Sequence, residues 1–295
     1  MSETDALDVV LRDARRVMVT DAVPPASHLI GAEVVIDLSA PAELDRLRTA
    51  MAVASVPGMV CACLGDVRFD FLDEDGGDLT AVVLHHGLTL RWYGWDGDAV
   101  LVDGISLLRW LDDHGASGPL RQFEEDERRR LRARSQEAEW LAAMPAVLAD
   151  LSERILAPSQ MGGNPSPDLL AEIQDRLDHA FPEPASRVLA LLKWCGAGTG
   201  RFSGFPVYEL VPSLLLKDLP IADIVAGLQD PRADARHDRG AVRHLAGWKS
   251  RRRQKRDIAA IPAPLKARLL ETARASGDRE QQRRASQWLN PDRSN

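Results

Sequence analysis

The chain has 295 residues, of which 45% are hydrophobic and 27% charged; 37 Lys and Arg stand against 44 Asp and Glu, a formal net charge of −7. This balance is too apolar for wholesale disorder and too charged for a membrane bundle, and the length suits one large domain or two ordinary ones. The start, MSETDALDVVLRDARR, lacks the basic and apolar regions of a secretory leader, and no apolar run is long enough to predict a spanning helix.

In chain order, Leu7, Val10, Leu11, Ala14 and Met18 recur at helical spacing and predict an amphipathic helix over 5–18, ended by Pro24 and Pro25. GAEVVIDLS (31–39) predicts a strand, and Pro41 with Leu44, Leu47 and Met51 a helix that Pro57-Gly58 breaks. Residues 59–73 and 79–95 read as two strands of a hairpin around the turn DEDGGD (73–78). AVLVD (99–103) adds a third strand, and ISLLRWLDDHG (105–115) closes the unit as a helix with Gly115 past its end. Beyond Gln122 the pattern is helical almost throughout, starting with Glu124, Glu125 and Asp126 each four residues before an arginine. PSQMGGNPSP (158–167) reads as a loop, followed by short helical segments at 168–181, 185–195, 206–217, 220–228, 237–256, 264–275 and 279–289. The expected architecture is an α+β domain over 1–118, a connecting helix over 119–157 and an all-α domain over 158–295, an irregular bundle or a HEAT-like array.

Cysteine and charge narrow the setting. Three cysteines, Cys61, Cys63 and Cys195, are too few for a disulfide framework and suit a reducing cytoplasm. Arg outnumbers Lys 32 to 5, a bias associated with GC-rich bacterial genomes. Charge is unevenly spread: residues 1–120 carry −12, 121–230 carry −5 and 231–295 carry +10.

Four groups of residues invite chemistry. Cys61 and Cys63 with His86 offer zinc-type donors. With the turn centred between Asp75 and Gly76, however, Cys61 and Cys63 fall on the same face as Val67, Phe69 and Phe71. The hairpin then lacks a fourth ligand, which His28 or His114 would have to bring. Core packing is the expected role of these cysteines, and no metal or other cofactor is expected. On the opposite face the same register sets Asp66 against His85 with Arg68 and Arg91 nearby, a pairing suited to orienting a general base or to a solvated cross-strand contact. DEDGGD and the acids Asp96, Asp98 and Asp103 read as turns, since the calcium-loop spacing fails.

GAGTGRFSG (196–204) lacks a Walker triplet and a preceding strand, so Arg201, Phe205, Tyr208 and Glu209 remain as a candidate small-molecule or peptide surface. Finally, Lys249, Arg251, Arg252, Arg253, Lys255 and Arg256 place six cations within eight residues. Such a run suits a phosphate backbone, an acidic protein, the acidic front of this chain, or a helix end whose macrodipole it offsets. The overall expectation is a cytoplasmic, non-catalytic interaction protein of adaptor, regulatory or immunity type, binding a protein partner with an acidic surface and no membrane. The alternatives are an enzyme built on Asp66, His85 and Arg91, and a nucleic-acid-binding protein using 249–256.

Overall fold

The structure, a computed structural model, describes residues 3–23, 28–199, 206–247 and 250–290. The chain divides into two compact units, Met1–Leu131 and Arg132–Asn295. The first is α+β and the second all-α, as the sequence pattern predicts.

The first unit is built on seven strands: β1 (Arg16–Asp21), β2 (Val34–Asp37), β3 (Val53–Ser55), β4 (Val67–Leu72), β5 (Asp78–His85), β6 (Thr89–Trp92) and β7 (Ala99–Leu101). They form one antiparallel sheet in the order β2-β1-β4-β5-β6-β7-β3. Its helices are α1 (Glu3–Leu11), α2 (Pro41–Ala50) and α3 (Gly104–Asp113). Strand alternation puts Val17, Val19, Val67, Phe69, Phe71, Val82, Leu84, Leu90 and Trp92 into one buried cluster. Leu44 and Leu47 of α2 and Leu107, Leu108 and Leu111 of α3 complete it. Proline at the first helical position starts α2, and Asp103 caps α3 by accepting the Ile105 and Ser106 N–H groups.

The β4–β5 register pairs Val67 with Leu84, Phe69 with Val82 and Phe71 with Thr80, as the sequence places it. Three other expectations need correction. Residues 16–21 form strand β1, not the end of a helix, because Val17, Val19 and Asp21 alternate inward. The strand expected over 59–73 begins only at Val67. The strand expected over 79–95 is two strands, reversed at His86 (φ 54°) and Gly87 (φ 68°), both left-handed as a tight hairpin turn requires.

The second unit follows α4 (Gly118–Ala143), which spans the boundary between the units. It comprises α5 (Ser152–Gln160), α6 (Pro167–Ala180), α7 (Pro184–Gly196), α8 (Val211–Asp218), α9 (Ile221–Gln229), α10 (Ala235–Leu245), α11 (Arg251–Ala259), α12 (Ala263–Ala275) and α13 (Arg279–Leu289), with 3-10 turns at Ala146–Leu151 and Val207–Leu210. The loop expected at 158–167 is shorter, since α5 continues through Pro158 to Gln160. The helix expected at 237–256 is two, α10 and α11. Trp140 packs in tilted contact, 4.8 Å between centroids, against both Trp194 and Tyr208, anchoring an apolar core of leucine and isoleucine side chains. No described helix is long and apolar enough to cross a membrane.

Helices α7 and α10 are not consecutive, yet they approach most closely, with Gly196 and Gly240 facing each other at backbone distance. A methyl at Gly240 would lie 1.9 Å from the Leu192 carbonyl oxygen. Gly240→Ala should therefore cost about 1–3 kcal/mol of unfolding free energy through overpacking. Urea denaturation would show a lower midpoint, and hydrogen exchange would quicken in α7 and α10 but not in the sheet.

Candidate functional site

The residues between β3 and β4 make a loop that crosses the sheet on the side away from the Phe69 and Phe71 core. Its direction is set at Gly65, whose φ of +91° is open to glycine; a Cβ there would stand 2.2 Å from Val83 Cγ1. The loop thus descends directly onto β5. Cys61 and Cys63 do not lie on the core face, correcting the expectation of simple core packing: both are partly buried on the opposite side. The reason is the late start of β4 at Val67, which frees 59–66 from the strand register.

Three donor atoms converge there, with a fourth, His86 Nε2, beside the two sulfurs. The two Sγ atoms are 3.0 Å apart, and Cys63 Sγ lies 3.0 Å from His85 Nδ1. His86 Nε2 stands 3.5 Å from Cys61 Sγ and 3.4 Å from Cys63 Sγ. Cys61, Cys63 and His85 have ligand atoms all within 4.8 Å of one another, whereas His86 falls outside that group, its ring standing near the sulfurs and not near the His85 ring nitrogens. His85 is wholly buried, and its Nε2 has no hydrogen-bond partner among the described residues. His114, a sequence-stated source of a fourth ligand, is engaged elsewhere, by the Trp110 carbonyl and Glu43.

A charged clamp holds the loop. Arg91 of β6 pairs with Asp98 at 2.7 Å and donates to the carbonyl oxygens of Cys61 and Cys63. Asp98 in turn accepts the Cys61 N–H at 2.7 Å. Asp98 is the member that the sequence pattern misses, because three acids near turn glycines look alike; its position between the Trp95 turn and β7 is the only cue. Burial alone would raise the Asp98 carboxyl, but Arg91 and the Cys61 N–H outweigh it and hold it below the usual range. Hydrogen bonding from Cys63, followed by His86, brings the Cys61 thiol down to about 7, whereas burial pushes Cys63 up. Burial, reinforced by Arg91, lowers His85 and favours its neutral ring.

The Asp66–His85–Arg91 constellation is dispersed among these contacts. Asp66 Oδ2 accepts the His86 backbone N–H at 2.5 Å, the His85 ring faces Cys63, and Arg91 faces Asp98. Arg68 pairs with Asp70. A small cavity of about 50 Å³ lies beside Asp66, His86, Gly87 and Phe123.

In the helical unit, Arg201, Phe205 and Lys249 lie outside the described residues. Tyr208 and Glu209 are buried and do not form an open surface: Tyr208 packs on Trp140, and Glu209 accepts from Arg243 at 2.7 Å and from the Thr199 N–H. The basic run forms α11. Gln254, Asp257 and Ile258 face inward, while Arg251, Arg252, Lys255 and Arg256 are exposed at i, i+1, i+4 and i+5, one outward stripe. Arg253 is turned aside, bonded to the Lys217 carbonyl and 3.9 Å from Asp257. Beside it, a cavity of about 290 Å³ is lined in part by His244, Arg253, Arg256 and Asp257. Ser213 Oγ meets His244 Nδ1 at 2.9 Å, a hydroxyl–imidazole contact that no sequence spacing announces.

Fold and sites together define a two-unit chain: an antiparallel sheet unit carrying a Cys/His cluster, and a helical unit with a cationic helix face. Comparison with protein-family profiles, curated proteins and solved structures gives no match.

The divided thiol acidities have a direct readout. In metal-free, reduced protein, iodoacetamide labelling of Cys61 should rise with pH through about 7 and precede labelling of Cys63. Peptide mass mapping of a short labelling pulse would find the carbamidomethyl group at Cys61 first. Equal labelling of both thiols, rising only in the ordinary thiol range, would contradict this geometry.

Proposed function

We propose that this chain is a non-catalytic interaction protein that docks an acidic protein surface through the outward stripe of α11. The observation that carries the reading is where the cations stand. Arg251, Arg252 and Arg253 occupy the first turn of α11, which contains no acidic residue. The macrodipole disfavours cations at that end, by about 0.3–1 kcal/mol each, so they do not serve as a charge-compensated helix end. Among the described residues, Arg251, Arg252 and Lys255 make no ion pair within 4.0 Å. A cost to the isolated helix is offset when those side chains meet an opposite charge on a partner.

An acidic protein fits this face better than a nucleic acid. The helix is nine residues long, presents four outward cations and brings no exposed aromatic from its own length onto which a base could stack. The few cysteines of the sequence support a cytoplasmic setting.

The double variant Arg251→Glu/Arg252→Glu separates binding from folding. It places acids at a helix N-terminus, so stability should hold or rise slightly, while binding to poly-glutamate falls. Wild-type binding should weaken as salt rises and exceed binding to duplex DNA at matched ionic strength. In tagged purification from the native host, the same variant should lose acidic proteins that the wild type retains. Preferential duplex binding would instead favour the nucleic-acid reading, and undiminished partner binding by the variant would overturn the proposal.

A further inference from the structure

We infer that Cys61, Cys63, His85 and His86 form a zinc site that fastens the 56–66 loop to the β5–β6 hairpin. This goes beyond the docking role of α11 and does not rest on it.

The donor set comes first. Two thiolates and two imidazoles are a tetrahedral S₂N₂ set, for which zinc is the usual first-row ion. With bonds of about 2.3 Å to sulfur and about 2.0–2.1 Å to nitrogen, a tetrahedron needs about 3.8 Å between sulfurs and about 3.5 Å between sulfur and nitrogen. His86 already stands at 3.5 and 3.4 Å from the two sulfurs. The Cys61–Cys63 and Cys63–His85 separations of 3.0 Å open to the required values by less than an ångström of side-chain rotation each, and His86, which lies outside the 4.8 Å group of the other three, must turn toward His85 to complete the tetrahedron. Two thiolates balance a divalent ion, so the filled centre is neutral and can sit partly buried without a stranded charge.

The backbone around the sulfurs is arranged for the same purpose. The Cys63 N–H points at Cys61 Sγ at 3.4 Å, and the Gly65 N–H bonds Cys63 Sγ. Each sulfur therefore receives the amide two residues onward, a donor that stabilises negative charge on sulfur. Outside them, Arg91 and Asp98 fix the carbonyls and the amide of the same short segment. Outer partners of this kind orient ligands before the metal arrives.

Beyond the Arg91–Asp98 clamp, the loop has little hydrophobic reason to stay closed. Its large apolar side chains point outward: Met59 is 72% exposed, Val60 63% and Leu64 70%. Apart from Val56, which packs against the core, what it turns inward is sulfur. Hydrophobic burial cannot account for that inversion, whereas metal bonds can. His86 adds a second anomaly as the sole described non-glycine residue with positive φ. Asn, Asp or Gly would occupy that turn position with less strain, so the retained imidazole argues for a use at the ring. A Cys61–Cys63 disulfide would leave both imidazoles unexplained.

The test uses the full chain, purified reduced and exchanged into zinc-containing then zinc-free buffer. Elemental analysis should find one zinc per chain that survives dialysis. Cobalt(II) loaded in its place should give the intense visible absorption of a tetrahedral site together with a thiolate charge-transfer band. Cys61→Ser and Cys63→Ser should each lose the retained zinc and the charge-transfer intensity. His86→Asn preserves the left-handed turn and so keeps the fold; it should shift the cobalt spectrum and release zinc to a chelator faster. Asp98→Asn leaves every ligand in place and should weaken zinc by about 10–100-fold. Reduced wild-type protein that retains no zinc and gives no tetrahedral cobalt spectrum would overturn the inference. So would a Cys61→Ser/Cys63→Ser chain that binds as the wild type does; if that chain misfolds, an unchanged cobalt spectrum in His86→Asn excludes the four-ligand centre.

Discussion

The pairing of β4 with β5 decides what each side of the sheet can be. Val67 opposite Leu84 and Phe69 opposite Val82 commit one face to the apolar core. Because side chains alternate, Val83, His85 and Arg91 are then committed to the other face. A slip of one residue between the two strands would put His85 on the same face as Phe69 and Phe71, either burying the imidazole in the core or exposing the phenylalanines. Full burial of each phenylalanine is worth several kcal/mol, about 3–5 on truncation to alanine. The core therefore enforces the placement of the polar face without contributing an atom to it.

On that polar face the next constraint is electrostatic. Arg91 is one cation serving three carbonyl or carboxylate groups, and Asp98 is nearly buried at its centre. The pair closes a loop whose ends are supplied by β3 and β4, so the geometry around the sulfurs depends on a contact made from β6 and the approach to β7. Hydrogen bonds to charged groups are worth about 1.5–3 kcal/mol each in net terms. That is enough to bias a short loop toward one conformation, though not enough to explain why its apolar side chains remain in solvent. The cysteines of the loop and the histidines of the hairpin enter the account at that point, because beyond Val56 the loop turns little apolar surface inward.

Much of this was legible from the sequence and some was not, for identifiable reasons. The β4–β5 register followed from DEDGGD, because a glycine-rich turn flanked by alternating apolar residues fixes pairing locally. The reversal at His86-Gly87 was hidden because histidine rarely signals a left-handed turn, so Leu79–Trp95 read as one strand. Reading 59–73 as one strand, rather than starting it at Val67, is what carried Cys61 and Cys63 onto the core face and placed His85 on the far side from them. Strand β1 was missed because Val17–Asp21 adjoins a helical pattern and its partners, β2 and β4, lie far along the chain. In the helical unit, boundaries marked by Pro or Gly were readable, whereas the Gly196–Gly240 approach and the Ser213–His244 contact depend on helix packing that no local pattern encodes. Tyr208 and Glu209 looked like a surface because aromatics beside glycines suit one; Trp140, distant in sequence, is what buries Tyr208.

The net charge of −7 conceals the same distinction between local and non-local reading. Counting acids and bases along the chain finds a cationic C-terminal part, but only the helix orientation says which cations are available. Arg253 is drawn sideways to the Lys217 carbonyl and Asp257, and Arg256 contacts Asp257 at 3.4 Å while staying exposed. The buried side of α11 thus carries its own acid, which anchors the helix and leaves the opposite side with cations alone. Had Asp257 been outward and one arginine inward, the same composition would have given a neutralised, solvated helix. On the proposed reading, anchoring on one side and outward charge on the other are what let α11 meet an acidic partner rather than merely keep a helix in water.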